Sequence, residues 1–171
     1  MKILAMDIAR NTGFAVGSPG GTPRAWSVDL GVTHDDRFAR ALKITSNLIQ
    51  KHSPDVLAIE DVVGRAKTPH VNVGIISCVR GMAHARGVKI MMCPVQTVRK
   101  HFLGRAFTTK DFPGLTPNKA REAIKAQVMG RCALLGWKAE DDDQADSLAL
   151  WDFAGAKLRA HQSSPIGGLF N

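Results

Sequence analysis

Two short apolar runs, Val56-Leu57-Ala58-Ile59-Glu60 and Val88 to Cys93, flank a stretch from about Pro69 to Arg86 whose Val73, Ile76, Val79 and Ala83 recur at helical spacing. The runs have strand length and the stretch between them has helical period, so the order is strand, helix, strand. Such a unit closes as a parallel pair with a right-handed crossover, which commits the chain to an α/β architecture with helices packed on a sheet.

The segment before this unit reads differently. Ile3 to Ala9, Gly13 to Gly17 and Arg24 to Leu30 are three strand-like runs, and Ser18-Pro19-Gly20-Gly21-Thr22-Pro23 between the last two is a turn, so an antiparallel meander is expected. From Asp35, the residues Phe38, Ala41, Leu42, Leu48 and Ile49 share one helical face. That helix must stop before Pro54, because a residue preceding proline is pushed out of the helical region. Downstream we expect a short helix over Val95 to Phe102, an irregular segment over Gly104 to Leu115, a helix from Thr116-Pro117 to Leu135, and a last helix from Asp143 to Arg159. The expected whole is a mixed five-stranded sheet flanked by helices, one domain over residues 1–160 with a loosely ordered tail over 161–171.

Composition narrows the class. At 171 residues, 44% hydrophobic and 22% charged, the chain has the make-up of one folded domain rather than of a disordered or membrane protein. Its net charge of +8 is unevenly spread: residues 61–138 hold 14 basic and 3 acidic residues, whereas residues 139–171 hold 2 and 6. A basic block favours a polyanionic partner, and the acidic cluster after it concentrates carboxylates. Cys78, Cys93 and Cys132 form no Cys-x-x-Cys pair, which argues against zinc or a disulfide framework. The run Met1 to Met6 is stopped by Asp7 before it can serve as a signal-peptide core, and no apolar run approaches membrane-spanning length. A cytoplasmic protein with no membrane partner is expected.

The carboxylates are the chemical signal. Asp7 lies inside the apolar run Leu-Ala-Met-Asp-Ile-Ala, where an unpaired acid is costly, and Glu60 repeats the anomaly at the end of Val-Leu-Ala-Ile. Either acid alone also reads as a strand-end residue turned to solvent. If the two strands are neighbours, the acids meet. In Glu140-Asp141-Asp142-Asp143-Gln144-Ala145-Asp146, the residues Asp143 and Asp146 are spaced i, i+3 and share a helix face, while Asp141 and Asp142 read best as capping residues. Four convergent carboxylates repel unless a cation neutralises them, and oxygen-only ligands select a hard ion, Mg²⁺ or Mn²⁺.

These residues carry a family resemblance. Asp7 on the first strand with Gly13 opening the second, Ala58-Ile59-Glu60 closing the fourth, and Asp143-Gln144-Ala145-Asp146-Ser147-Leu148-Ala149 opening the last helix resemble the RuvC family of Holliday junction resolvases, with its RNase H-like fold. The resemblance implies a homodimeric endonuclease that nicks two opposed strands of a four-way DNA junction, leaving 5′-phosphate and 3′-hydroxyl ends. It implies two Mg²⁺ ions per active site held by Asp7, Glu60, Asp143 and Asp146, with Mn²⁺ able to substitute, and it is compatible with a motor partner that drives branch migration. Lys119, in the first turn of its helix, matches a family position that contacts the scissile phosphate. The phosphate contacts expected from the basic block are Arg65, Lys67, Arg80, Arg86, Arg99, Lys100, Arg105 and Lys110.

Two features depart from that pattern or stand beside it. Val63 occupies the place of an aromatic wedge, so junction opening relies on other residues or the substrate range is broader. Gly74, Ser77, Gly81 and Ala85 form a small-residue stripe on the central helix, open to a dimer interface or to internal packing. The rival activities are an RNase H-like nuclease acting on structured RNA or on branched DNA generally, and an idle DNA-binding scaffold. A Walker loop and a serine nucleophile elbow are both missing from the sequence.

Overall fold

The computed structural model describes residues 1–61 and 69–163. Strands β1 (Ile3–Asp7), β2 (Asn11–Gly17), β3 (Arg24–Asp29), β4 (Val56–Asp61) and β5 (Lys89–Pro94) form one sheet in the order β3-β2-β1-β4-β5. The pairs β1–β2 and β2–β3 are antiparallel, and β1–β4 and β4–β5 are parallel, which is the expected meander joined to a parallel unit. The helices are α1 (His34–His52), α2 (His70–Ala85), α3 (Val95–Leu103), α4 (Pro117–Leu134) and α5 (Asp142–Ser163).

Successive side chains of a strand point to opposite faces, and the two faces of this sheet differ in bulk. One face presents Leu4, Met6, Phe14, Val16, Leu57 and Ile59 to Ile49 of α1 and to Ile75, Ile76 and Val79 of α2. The other presents Ile3, Ala5, Ala15, Ala58 and Cys93 to Val98 and Phe102 of α3, Val128 of α4, and Leu148 and Trp151 of α5. Alanines and glycines thin this second face, so α5 lies close against β1 and β2. A side chain at Gly17 would press on Pro23 and on the ring of Trp151, each 3.2 Å away, and the indole Nε1 donates to the Gly17 carbonyl at 3.2 Å.

Local chemistry sets the helix ends. Thr33 caps α1, accepting from the Asp36 amide while the Asp36 carboxylate bonds back to the Thr33 backbone and hydroxyl. Thr116 caps α4 ahead of Pro117, as the sequence indicates. The irregular segment after α3 holds a 3₁₀ turn at Thr109–Asp111. Helix α5 continues past Arg159 through Ser163, the last described residue, because Ala160 to Ser163 contain nothing hostile to a helix. Among the described residues, no helix is long and apolar enough to cross a membrane.

The hydroxyl of Thr45, on the buried face of α1, is enclosed without a hydrogen-bond partner. An unsatisfied buried hydroxyl costs about 1–3 kcal/mol, and valine keeps the shape. Thr45→Val is therefore expected to raise stability by about 1 kcal/mol, seen as a melting temperature higher by about 2–4 °C.

Candidate active site

Parity and register bring the strand acids together. Asp7 follows Ile3 and Ala5 on the α5 face of β1, and Glu60 follows Ala58 on the same face of β4. Met6 pairs with Ile59, so Asp7 and Glu60 are the next residues along two neighbouring parallel strands. Asp7 also stands opposite Gly13 across the β1–β2 ladder.

Helix α5 delivers the remaining acids at its N-terminus, and each carboxylate there is sorted to a different partner. Asp141 caps the helix, accepting from the Gln144 amide at 2.8 Å and from the Ser27 hydroxyl at 2.5 Å. Asp142 pairs with Lys125 of α4. Asp143 accepts from the side-chain amide of Asn11 on β2. Asp146, one turn further, lines a small cavity with Asp7, Glu60 and Arg99, walled by Val95, Val98 and Leu150. Thus Asp141 is the expected cap, whereas Asp142 is an ion-pair partner instead.

Gly13 makes this possible. A Cβ there would lie 1.9 Å from the carbonyl oxygen of Asp143 and 2.4 Å from its carbon. The backbone of α5 occupies the space of a side chain, which brings Asp143 and Asp146 within electrostatic reach of Asp7.

The charges in the cavity oppose one another. Burial pushes the Asp7 carboxyl well above the usual carboxylate range, and the charges of Glu60, Asp146 and Asp143 push it further, with Arg99 acting against them. Asp146 is also raised, chiefly by burial, with Arg99 and Lys125 opposing. Burial raises Asp143 too, against the bond from Asn11. At Asp141 burial acts in the same upward sense, yet the Ser27 and Gln144 hydrogen bonds win and hold it low.

An oxygen-only set of mutually repelling carboxylates, two of them in apolar surroundings, fits a hard divalent cation in its donor chemistry. Among the described residues, no three His, Cys, Asp or Glu side chains converge tightly enough to ligate one ion as they stand.

The expected basic contacts separate by environment. Arg99 is half-buried in the acid cavity. Lys119, Lys100, Lys110 and Arg80 are exposed, and Lys119 is held in the first turn of α4 by its backbone bond to Thr116. Arg86 donates to Ser46 of α1 at 2.8 Å, and Arg105 pairs with Asp111. Arg65, Lys67 and Val63 lie outside the described residues. In the α2 stripe, Gly74 is covered by the Phe38 ring of α1, while Gly81 faces open space. Asn11 and Lys125 escape the sequence reading, because an amide and an exposed helical lysine become informative only once their partners are known.

No protein-family model matches the sequence, and a search of curated proteins likewise returns no match. Solved structures do match. The RuvC structure from Thermus thermophilus shares 16% identity over 94% of this chain and 97% of its own, with a TM-score of 0.66. T. thermophilus RuvC in complex with a Holliday junction substrate aligns over 96% and 97% at 16% identity and a TM-score of 0.67. The yeast mitochondrial Holliday junction resolvase Ydc2 aligns over 94% and 81% at 14% identity and 0.56. The chain therefore has the RuvC-type, RNase H-like fold that the sequence resemblance implied.

Two outcomes are expected. Gly13→Ala must displace the α5 backbone, so it should cost about 1–3 kcal/mol in denaturant unfolding. Separately, a carboxyl whose pKa is raised on folding weakens the fold as pH climbs above its unfolded value near 3.8, because the unfolded chain then gives up its proton more readily. In chelator, the contribution of Asp7 to stability falls as pH rises through that window, so Asp7→Asn should gain stability relative to the unaltered chain as pH rises and melt higher at neutral pH.

Proposed function

We propose that this chain is a divalent-metal-dependent endonuclease that resolves four-way DNA junctions by paired, symmetric nicks. The observation that carries the reading is the meeting of Asp7, Glu60 and Asp146 in one cavity at the ends of two parallel strands, with Asp143 beside them. The fold shared with junction resolvases, one of them solved with a Holliday junction substrate, supports it.

Asp7, Glu60, Asp143 and Asp146 are the groups that would hold Mg²⁺ or Mn²⁺. When bound, such a cation supplies Lewis-acid stabilisation of charge on a phosphate and a more acidic water. The residues of the chain do the positioning. The β1–β4 register fixes the backbone positions of Asp7 and Glu60, while Asn11 orients the Asp143 carboxylate. Arg99 brings a guanidinium to the edge of the same cavity, where it can meet the non-bridging oxygens of a phosphodiester. Lys119 and Lys100, exposed on α4 and α3, extend the positive surface along the backbone of the strand. In-line attack at the phosphorus with departure of the 3′ oxygen leaves 5′-phosphate and 3′-hydroxyl ends.

Two opposed nicks need two symmetric sites, so the reading includes a homodimer. The exposed part of α2 at Ser77, Gly81 and Ala85 is the surface available for it, since Gly74 is already used against α1.

On a synthetic mobile four-way junction with Mg²⁺, the chain should give nicks at matching positions on opposed strands, with little cutting of linear duplex or structured RNA. Asp7→Asn should bind the junction with near-unchanged affinity and lower the nicking rate at least about a thousandfold. Mg²⁺ should raise the melting temperature of the unaltered chain and leave that of Asp7→Asn unmoved. Cutting of the RNA in preference to the junction would overturn the assignment.

A further inference from the structure

We propose that the cavity between the C-terminal halves of α3 and α4 is a subsite for a single unstacked nucleobase of the bound DNA strand. The inference rests on the nuclease reading above and adds a specificity element to it. The cavity measures about 710 Å³, within the range of small-molecule sites and ample for one base with its sugar.

Its walls lead directly out of the acid site. Helix α3 places Arg99 in the acid cavity and, two residues on, begins to line this second one with His101 and Phe102. Helix α4 places Lys125 against Asp142, and the next residues, Ala126 and Gln127, line the second cavity. At about 1.5 Å of helix rise per residue, the five residues from Arg99 to Gly104 span about 7.5 Å. That is about two stacked base steps of about 3.4 Å, so a strand whose phosphate sits at the acids has a neighbouring base within reach.

The chemistry of the lining suits a base better than a bare phosphate or a peptide. Phe102, Phe107 and Leu134 offer apolar surface, and His101, Gln127 and Arg131 offer donors and acceptors of the kind a base edge presents. No carboxylate lines the cavity. Phe107 is braced as a stacking platform, with the Arg105 guanidinium 4.5 Å from its centroid and the Phe112 ring 5.9 Å away. His101 is oriented by Asp152 of α5, its Nε2 at 3.0 Å from the carboxylate. Leu134 leaves 81% of its surface in solvent, apolar area that an inserted base would cover. Strand exchange points are where a base leaves its stack at least cost.

The test scans a four-way junction with single abasic sites, and in parallel with 2-aminopurine, at one to three nucleotides on either side of each scissile phosphate. In the Asp7→Asn chain, which holds the junction without cutting, one abasic position is expected to weaken binding by about tenfold. 2-Aminopurine at that position should change its fluorescence on binding. Phe107→Ala should remove both effects, and the surface variants Arg131→Ala and Gln127→Ala, which do not disturb the core, should reduce them. Normal nicking by the unaltered chain with no position-dependent penalty overturns the subsite and leaves the nuclease reading standing. A Phe107-dependent affinity for a free deoxynucleotide, with no responsive junction position, assigns the cavity to another ligand and also overturns it. Failure to bind or nick any junction removes the nuclease reading, and the subsite with it.

Discussion

The close approach of α5 to the thin face of the sheet is the constraint on which the rest of the structure depends. Bulky residues line the side toward α1 and α2, and alanines and glycines line the side toward α5. Packing density in a core is nearly uniform, so small side chains translate into a short distance between helix and sheet. At Gly13 the distance is so short that the α5 backbone stands where a Cβ would be. The acids of α5 reach those of β1 and β4 only because of that contact.

Such closeness has an electrostatic cost. Burial and mutual repulsion raise Asp7, Asp146 and Asp143, and folding holds them together nonetheless. The apolar contacts of Leu148, Trp151 and Phe153 with the core supply the opposing free energy. Lys125, Arg99 and Asn11 relieve the strain from three directions: α4, α3 and β2. Packing away from the acids thus offsets a repulsion that the nearby groups compensate only in part.

Much of this was legible in the chain itself. The strands and helices themselves follow from apolar runs and helical periods, and the sheet contains the expected meander and parallel unit because those patterns are local; the order in which the two join, β1 beside β4, is not a local pattern. Asp7 and Glu60 stood out because acids are costly in apolar runs, but whether their strands are neighbours stayed open in the sequence and is answered by the parallel pairing of β1 with β4. What could not be read was the fate of consecutive acids at the start of α5. Asp141, Asp142 and Asp143 differ only in the direction each leaves the helix, and their partners Ser27, Lys125 and Asn11 lie 114, 17 and 132 residues away along the chain. Nor does alternation of large and small apolar residues register in a hydrophobicity pattern, although it decides which face receives α5.

Ala5, Ala15 and Ala58 lie on that face, behind the acids rather than among them. They act as shims. A methyl group added to any one of them must be accommodated between the sheet and the helix that carries Asp143 and Asp146. Carboxylate spacing is thereby linked to residues sealed inside the core, so it can be graded from within without altering any charged group.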